Sequence, residues 1–260
     1  NKVLVVCAAL FVAGCGAQSE ERILAWHSLI VVEKSGDLLV TETIKVRAAG
    51  RAIKRGILRN LPLLFDAESK PPTKDLDQAL KNPIGVVSVK RNGEREHYGV
   101  ENHGDGVTVR IGRREVFLKP GIYTYEITYR TGRQLSHDEG RDAVYWNVNG
   151  TGWSFPIDEV SATVTLPAGI KGTKIRGYTG KLNEKGEDYR AELTATGATI
   201  ATTRPFDPKE NLSFVLEWPP GLLDAAAYGK LVRISHEIPA SNERLPREPF
   251  IRSYLRAGTR

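Results

Sequence analysis

Cysteine is almost absent from this chain, and both copies, Cys7 and Cys15, fall within its first fifteen residues. The body from Glu21 onward therefore has no disulfide framework and no thiolate to serve as nucleophile or metal ligand. The histidines His27, His97, His103, His137 and His236 are scattered and form no His-x-x-x-His pair, so zinc-type spacing is missing. No metal or other cofactor is expected. A nucleophile elbow, a phosphate-binding loop and a dinucleotide fingerprint are also lacking. Gly150-Thr151-Gly152 follows a strand-like run but opens no helix, and it reads as a hairpin turn. Two further absences concern the fold. No apolar run reaches the roughly 20 residues that span a bilayer, and no long window shows strong helical periodicity.

What the chain does have begins at its start. Lys2 precedes the uncharged run Val3–Ala13, and the polar segment Gln18-Ser19-Glu20-Glu21-Arg22 follows. A positive start, a short apolar core and small residues before a polar stretch form the pattern of a secretory signal peptide. The expectation is a leader over residues 1–20 and export from a bacterial-type cytoplasm. Val12-Ala13-Gly14-Cys15 is similar to the lipobox of bacterial lipoproteins, which makes Cys15 the candidate lipidation site. Ordinary cleavage after Ala17 is the alternative.

Beyond Glu21 the dominant signal is alternation with period two, which sorts apolar side chains onto one sheet face. Leu24, Trp26, Ile30 and Val32 share a phase, as do Val40, Ile44 and Val46 after the turn Lys34-Ser35-Gly36-Asp37. The same pattern recurs at Val107–Ile111, Tyr123–Tyr129, Val160–Leu166 and Leu212–Trp218. Only residues 74–81 and 221–231 suit short helices. The expected class is all-β, an antiparallel sandwich, because parallel sheets would need helical crossovers that the chain does not supply. A break in alternation at 132–140 suggests two β-subdomains, residues 21–133 and 142–220, with one larger sandwich as the alternative. Residues 66–82, with Pro71-Pro72, read as a loop. Residues 229–260 carry seven Lys/Arg against three Glu, with Pro239, Pro246 and Pro249, so 221–260 reads as a short helix and a basic, loosely ordered tail.

Three constellations bear on chemistry. His137-Asp138-Glu139 and Asp142 lie near Tyr145-Trp146, and paired carboxylates beside aromatics are how glycosidases place an acid and a base. A solvated inter-strand loop is the plainer account, and no catalytic residue is assigned. Tyr145, Trp146, Trp153 and Phe155 cluster around a glycine turn, where aromatics fill a sandwich core; carbohydrate stacking is the alternative. Lys45–Arg59 carries six cations and no acid, within a chain of net charge +6. It lacks the interleaved aromatics that stack nucleic-acid bases. Anionic lipid headgroups or wall polymers suit it better, because they require only a positive surface.

Several segments together resemble a known family. They are Glu21-Arg22-Ile23, Val40-Thr41-Glu42-Thr43-Ile44 and the basic motif Arg55-Gly56-Ile57-Leu58-Arg59-Asn60-Leu61-Pro62. Tyr145-Trp146-Asn147-Val148 through Gly152-Trp153-Ser154-Phe155-Pro156-Ile157 is the most specific, followed by Thr165-Leu166-Pro167 and Gly177-Tyr178-Thr179-Gly180. In this order they are similar to the extracytoplasmic domain of the YciQ-like predicted membrane proteins, domain of unknown function 2207. The resemblance implies a β-rich domain outside the membrane with no established activity. It marks Arg55, Gly56, Arg59, Pro62, Tyr145, Trp146, Asn147, Gly152, Trp153, Phe155 and Pro156 without assigning them roles. Leu58 and Leu61 depart from it, standing where an aromatic is usual. It also implies transmembrane helices after the domain, whereas residues 229–260 hold no run of spanning length. Membrane attachment then falls to helices beyond Arg260 or to an acyl group on Cys15. The expected role is a non-enzymatic envelope module that contacts a protein, a lipid or an anionic polymer, with a glycan-binding or glycan-cleaving protein as the alternative.

Overall fold

The computed structural model describes residues 20–62, 84–103, 106–132, 134–138, 140–228 and 232–233. The expected leader with Cys15, the loop and helical turn of 66–82, Glu139 and nearly all of the basic tail lie outside them.

The alternation read from the sequence becomes strands at once. β1 (Arg22–Val32) and β2 (Leu38–Ala48) pair as an antiparallel hairpin with Trp26 opposite Ile44 and Ile30 opposite Val40. Gly36, at φ 81°, supplies the left-handed turn residue. Leu24 does not share the inner face as expected. A bulge between Ile23 and Ala25 shifts the phase, so Ile23 is buried and Leu24 half-exposed. One extra residue is enough to exchange the faces.

The remaining strands are β3 (Ile57–Pro62), β4 (Ile84–Arg91), β5 (Glu94–Arg95), β6 (Tyr98–His103), β7 (Gly106–Ile111) and β8 (Gly121–Thr131). After them come β9 (Leu135–Asp138), β10 (Arg141–Asn147), β11 (Val160–Thr165), β12 (Lys174–Gly180), β13 (Tyr189–Thr194), β14 (Gly197–Thr202), β15 (Asn211–Trp218) and β16 (Val232–Arg233). Within the expected helix of 221–231 the described residues form one helical turn, α1 (Ala225–Tyr228), and 229–231 lie outside them. An eight-stranded sheet runs β13-β14-β11-β1-β2-β8-β4-β5; a five-stranded sheet runs β12-β15-β10-β9-β16; a three-stranded sheet runs β3-β7-β6. The chain is all-β and mainly antiparallel.

Three details differ from the sequence reading. The eight-stranded sheet takes β1, β2, β4, β5 and β8 from one side of the 132–140 break and β11, β13 and β14 from the other. The segments 21–133 and 142–220 thus share a sheet, and their buried apolar residues form one cluster. β1 and β11 pair in parallel, from Trp26 opposite Val160 to Val31 opposite Thr165. A parallel pair needs a long return connection, and here the intervening strands provide it in place of a helix. Finally, Gly150-Thr151-Gly152 is a turn but joins no hairpin: β10 before it and β11 after it belong to different sheets.

Two local devices fix the loop between β2 and β3. Glu21 is buried, and its carboxylate accepts from the backbone N–H groups of Ala49 (2.9 Å), Arg51 (3.1 Å), Ala52 (2.7 Å) and Ile53 (3.2 Å). Burial disfavours the charged form, yet the four donors prevail and hold its pKa below the usual carboxylate value. At the loop's end the backbone crosses that of the β7 terminus. A Cβ on Gly56 (φ 136°) would lie 1.8 Å from the Ile111 carbonyl oxygen, and one on Gly112 (φ 110°) 2.0 Å from that of Arg55. Only glycine permits this approach.

Gly56→Ala should therefore lower stability by about 2 kcal/mol or more, whereas Gly85→Ala, which meets nothing within 4 Å, should change it little; urea unfolding of both variants checks the contrast. For Glu21, the depressed folded-state pKa contributes stability that is present above the unfolded carboxylate pKa and is lost as pH falls through the folded one. Glu21→Gln should be less stable at neutral pH and should show a shallower acid-side decline in urea midpoint than the parent protein.

Candidate functional site

In β2 the phase that buries Val40, Ile44 and Val46 also carries Glu42 inward, and in β3 the phase of Ile57 and Leu61 carries Arg59. The two side chains meet between the sheets. Arg59 Nε donates to Glu42 Oε2 (2.8 Å) and Nη2 to Oε1 (2.7 Å), a fork that matches the carboxylate in plane. Glu42 is 0% and Arg59 4% exposed. Tyr129 O–H donates a third bond to Glu42 Oε1 (2.9 Å), and Arg59 Nη1 donates to the Asn149 carbonyl (2.9 Å). The guanidinium carbon also stands 4.8 Å from the centre of the Trp26 ring, a cation–π placement. Burial alone would lower the arginine's pKa, but the facing Glu42 carboxylate outweighs it and raises it. Burial first, and then the Glu42 charge, push the Tyr129 phenol well above its ordinary value.

The aromatic motif seals this pair. Trp153 meets Trp26 edge-on at 5.3 Å between ring centres, and its Nε1 donates to the same Asn149 carbonyl (3.0 Å). Asn149 is itself held: Nδ2 donates to the Glu210 carbonyl (2.8 Å), and Oδ1 accepts from Leu212 N–H (3.0 Å). Gly150 takes a left-handed backbone (φ 75°) beside Arg59, where a Cβ would make only an ordinary 3.5 Å contact with Nη1. Trp146 is buried in the core and Phe155 packs against it, while the Pro156 carbonyl accepts from Ile23 N–H (3.0 Å). Tyr145 and Asn147, in the opposite phase of β10, join a second network. Asn147 Oδ1 accepts from Tyr145 O–H (3.1 Å), Ser213 O–H (2.6 Å) and Asn211 Nδ2 (3.1 Å). Burial raises the Tyr145 pKa.

The remaining candidates are placed apart. Arg55 lies on the surface over the Phe117 ring (4.2 Å), and Pro62 ends β3 with its Cα opposite Gly106. Gly152 sits in an open turn, with nothing within 4 Å of a built Cβ. His137 and Asp142 face each other across the β9–β10 hairpin, with Nδ1 2.6 Å from Oδ1 and Asp142 buried. A shallow hollow beside them is lined by Arg141 and Glu217, which pair at 3.1 Å. The six cations of 45–59 do not form one surface, because Arg59 belongs to the interior. No group of histidine, cysteine and carboxylate side chains suited to a metal occurs among the described residues.

Breaking a buried pair on one side leaves an uncompensated charge and costs about 3–5 kcal/mol, whereas replacing both partners with apolar groups is far milder. Arg59→Met should therefore destabilise the protein strongly, and adding Glu42→Leu should recover much of the loss. A double-mutant cycle in urea measures it.

Comparison with known proteins now adds an identity. A family model described as the predicted membrane protein (DUF2207) N-terminal domain matches residues 22–218. The chain is 29% identical over 234 residues to the uncharacterized protein YciQ of Escherichia coli (strain K12), covering 86% of this chain and 35% of that protein, so it spans about a third of this relative's length. Among solved structures it is similar to the M1 zinc metallopeptidase of Deinococcus radiodurans, with a TM-score of 0.41 and 15% identity over 75% of this chain and 42% of that one. Leukotriene A4 hydrolase of Saccharomyces cerevisiae gives a TM-score of 0.45 and 10% identity, over 76% and 29%. Likenesses of that size carry no chemistry over to this chain. The family match covers most of the chain, and the chain belongs to the predicted membrane protein (DUF2207) family through its N-terminal domain.

Proposed function

We propose that this domain is a non-enzymatic interaction module of the cell envelope, exported and held on the extracytoplasmic side of the membrane. One observation carries the reading: Arg59, Trp146 and Trp153 are all buried, and Arg59 and Trp153 both donate to the Asn149 carbonyl within the interior. Side chains used in this way fix a scaffold, and recognition is left to exposed loops and charged surface. Trp26 and Trp153 are buried, meet edge-on, and Trp26 carries the Arg59 guanidinium over its ring, which favours a structural role over sugar stacking for this cluster.

Attachment follows from the family and from the leader. No helix among the described residues is long and apolar enough to cross a membrane. On this reading the anchor is an acylated Cys15, for which the lipobox-like Val12-Ala13-Gly14-Cys15 speaks, with transmembrane helices beyond Arg260 as the other arrangement. The partner class is an envelope protein or an anionic polymer or lipid; nucleic acid is not expected.

Metabolic labelling with a clickable fatty acid should mark the protein in the membrane fraction, and Cys15→Ser should abolish the label. Equal labelling of both forms would refute acylation at Cys15, and recovery of the protein in the cytosol would refute the envelope reading itself.

A further inference from the structure

The loop between β7 and β8 exposes side chains that soluble surfaces usually keep covered. Val116 and Phe117 stand adjacent in it, 46% and 63% exposed. Isolated exposed apolar residues are ordinary, but a cluster of them marks a binding surface. Its surroundings are basic. Leu118 N–H donates to the Lys54 carbonyl (2.8 Å), which ties this loop to the one between β2 and β3. That contact brings the exposed cations Lys54 and Arg55 beside the apolar pair, next to Lys119 of the same loop, and Arg51 and Arg113 are exposed on the same two loops. Glu115 is the acid within the β7–β8 loop, and the hollow beside Val116 and Phe117 holds Glu94 and Glu96 with Arg91 and Arg95, Glu96 being paired to Arg91 at 2.6 Å. The Arg55 guanidinium lies 4.2 Å over the Phe117 ring, so cation and phenyl are presented as one unit.

We infer that this end of the molecule is a docking surface for an anionic lipid bilayer. Phe117 and Val116 enter the boundary between headgroups and acyl chains, and the surrounding cations meet the headgroup phosphates. Charge complementarity selects this occupant, because aromatic and aliphatic side chains within a lysine- and arginine-rich surface are what an interfacial binder requires. The path of the chain agrees with it. Glu21 is held by the amides of 49–53, so the polypeptide reaches the sheet at this same end. Cys15 lies six residues earlier, a reach of at most about 20 Å. The opposite end carries α1, where Asp224 N–H donates to the Lys34 carbonyl (2.9 Å) beside the β1–β2 turn. This inference rests on the membrane-attached reading above and deepens it by naming the surface that faces the lipid.

The test places one tryptophan at each end of the full chain. The four native tryptophans are buried, so Phe117→Trp and, near α1, Leu222→Trp each add one exposed indole. Vesicles with acyl-brominated lipids report contact by quenching. With phosphatidylglycerol mixed into phosphatidylcholine, position 117 should be quenched and position 222 should not. In pure phosphatidylcholine position 117 should stay unquenched, even where the leader holds the chain on the vesicle. Lys54→Gln with Lys119→Gln should raise the vesicle concentration for half-quenching roughly 25-fold, about five-fold per cation, with an unchanged thermal midpoint. Val116→Trp serves as a second reporter if Phe117→Trp alters folding. No quenching at 116 or 117, equal quenching in both lipid mixtures, or equal quenching at 222 would overturn the inference; an acidic protein or polymer as the true occupant would give the first of these. Cys15-dependent labelling that persists beside a negative quenching result would sink the surface alone and leave the envelope reading standing.

Discussion

A carboxylate and a guanidinium removed from water are tolerable only when each is fully paired, and the Arg59–Glu42 contact imposes that condition on the whole sandwich. Glu42 comes from the eight-stranded sheet and Arg59 from the three-stranded one, while the carbonyl that completes the guanidinium comes from the segment leaving the five-stranded sheet. With any of the three undocked, one ion is left short of partners in an apolar interior. The exposed pairs Arg130–Glu33 and Lys90–Glu126 impose nothing comparable, since surface pairs contribute about 0–1 kcal/mol.

The rest of the interior serves that arrangement. Trp26 and Trp153 close the apolar wall around the guanidinium, Asn149 fixes the carbonyl, and the Gly56–Gly112 crossing lets β3 approach closely enough for Arg59 to reach inward. The family motif thereby acquires a physical meaning. Its Arg59, Gly56 and Trp153 are the parts of a lock between sheets, while Arg55 and Gly152 stay at the surface.

The exposed loops carry charge and apolar surface instead. The same segment that delivers Arg59 to the core displays Arg51, Lys54 and Arg55 to solvent, beside an apolar pair. A stretch that reads in sequence as one basic run is thus divided by the fold between structure and surface.

Much of this was legible beforehand. Alternation identified most of the longer strands, the first hairpin and the apolar core phases, because a period of two survives whatever the strand pairs with. The same alternation held the signal for the central pair, since Glu42 stands in phase with Val40 and Ile44, and Arg59 with Ile57 and Leu61. A charge on a core face needs a counter-charge. The sequence by itself determined the all-β class, the family and most of the apolar side chains that face inward. Tertiary structure alone decided that Glu42 pairs with Arg59, that β1 lies parallel to β11, and that strands from both halves share a sheet, because strand-to-strand neighbours far apart in the chain leave no local periodic trace.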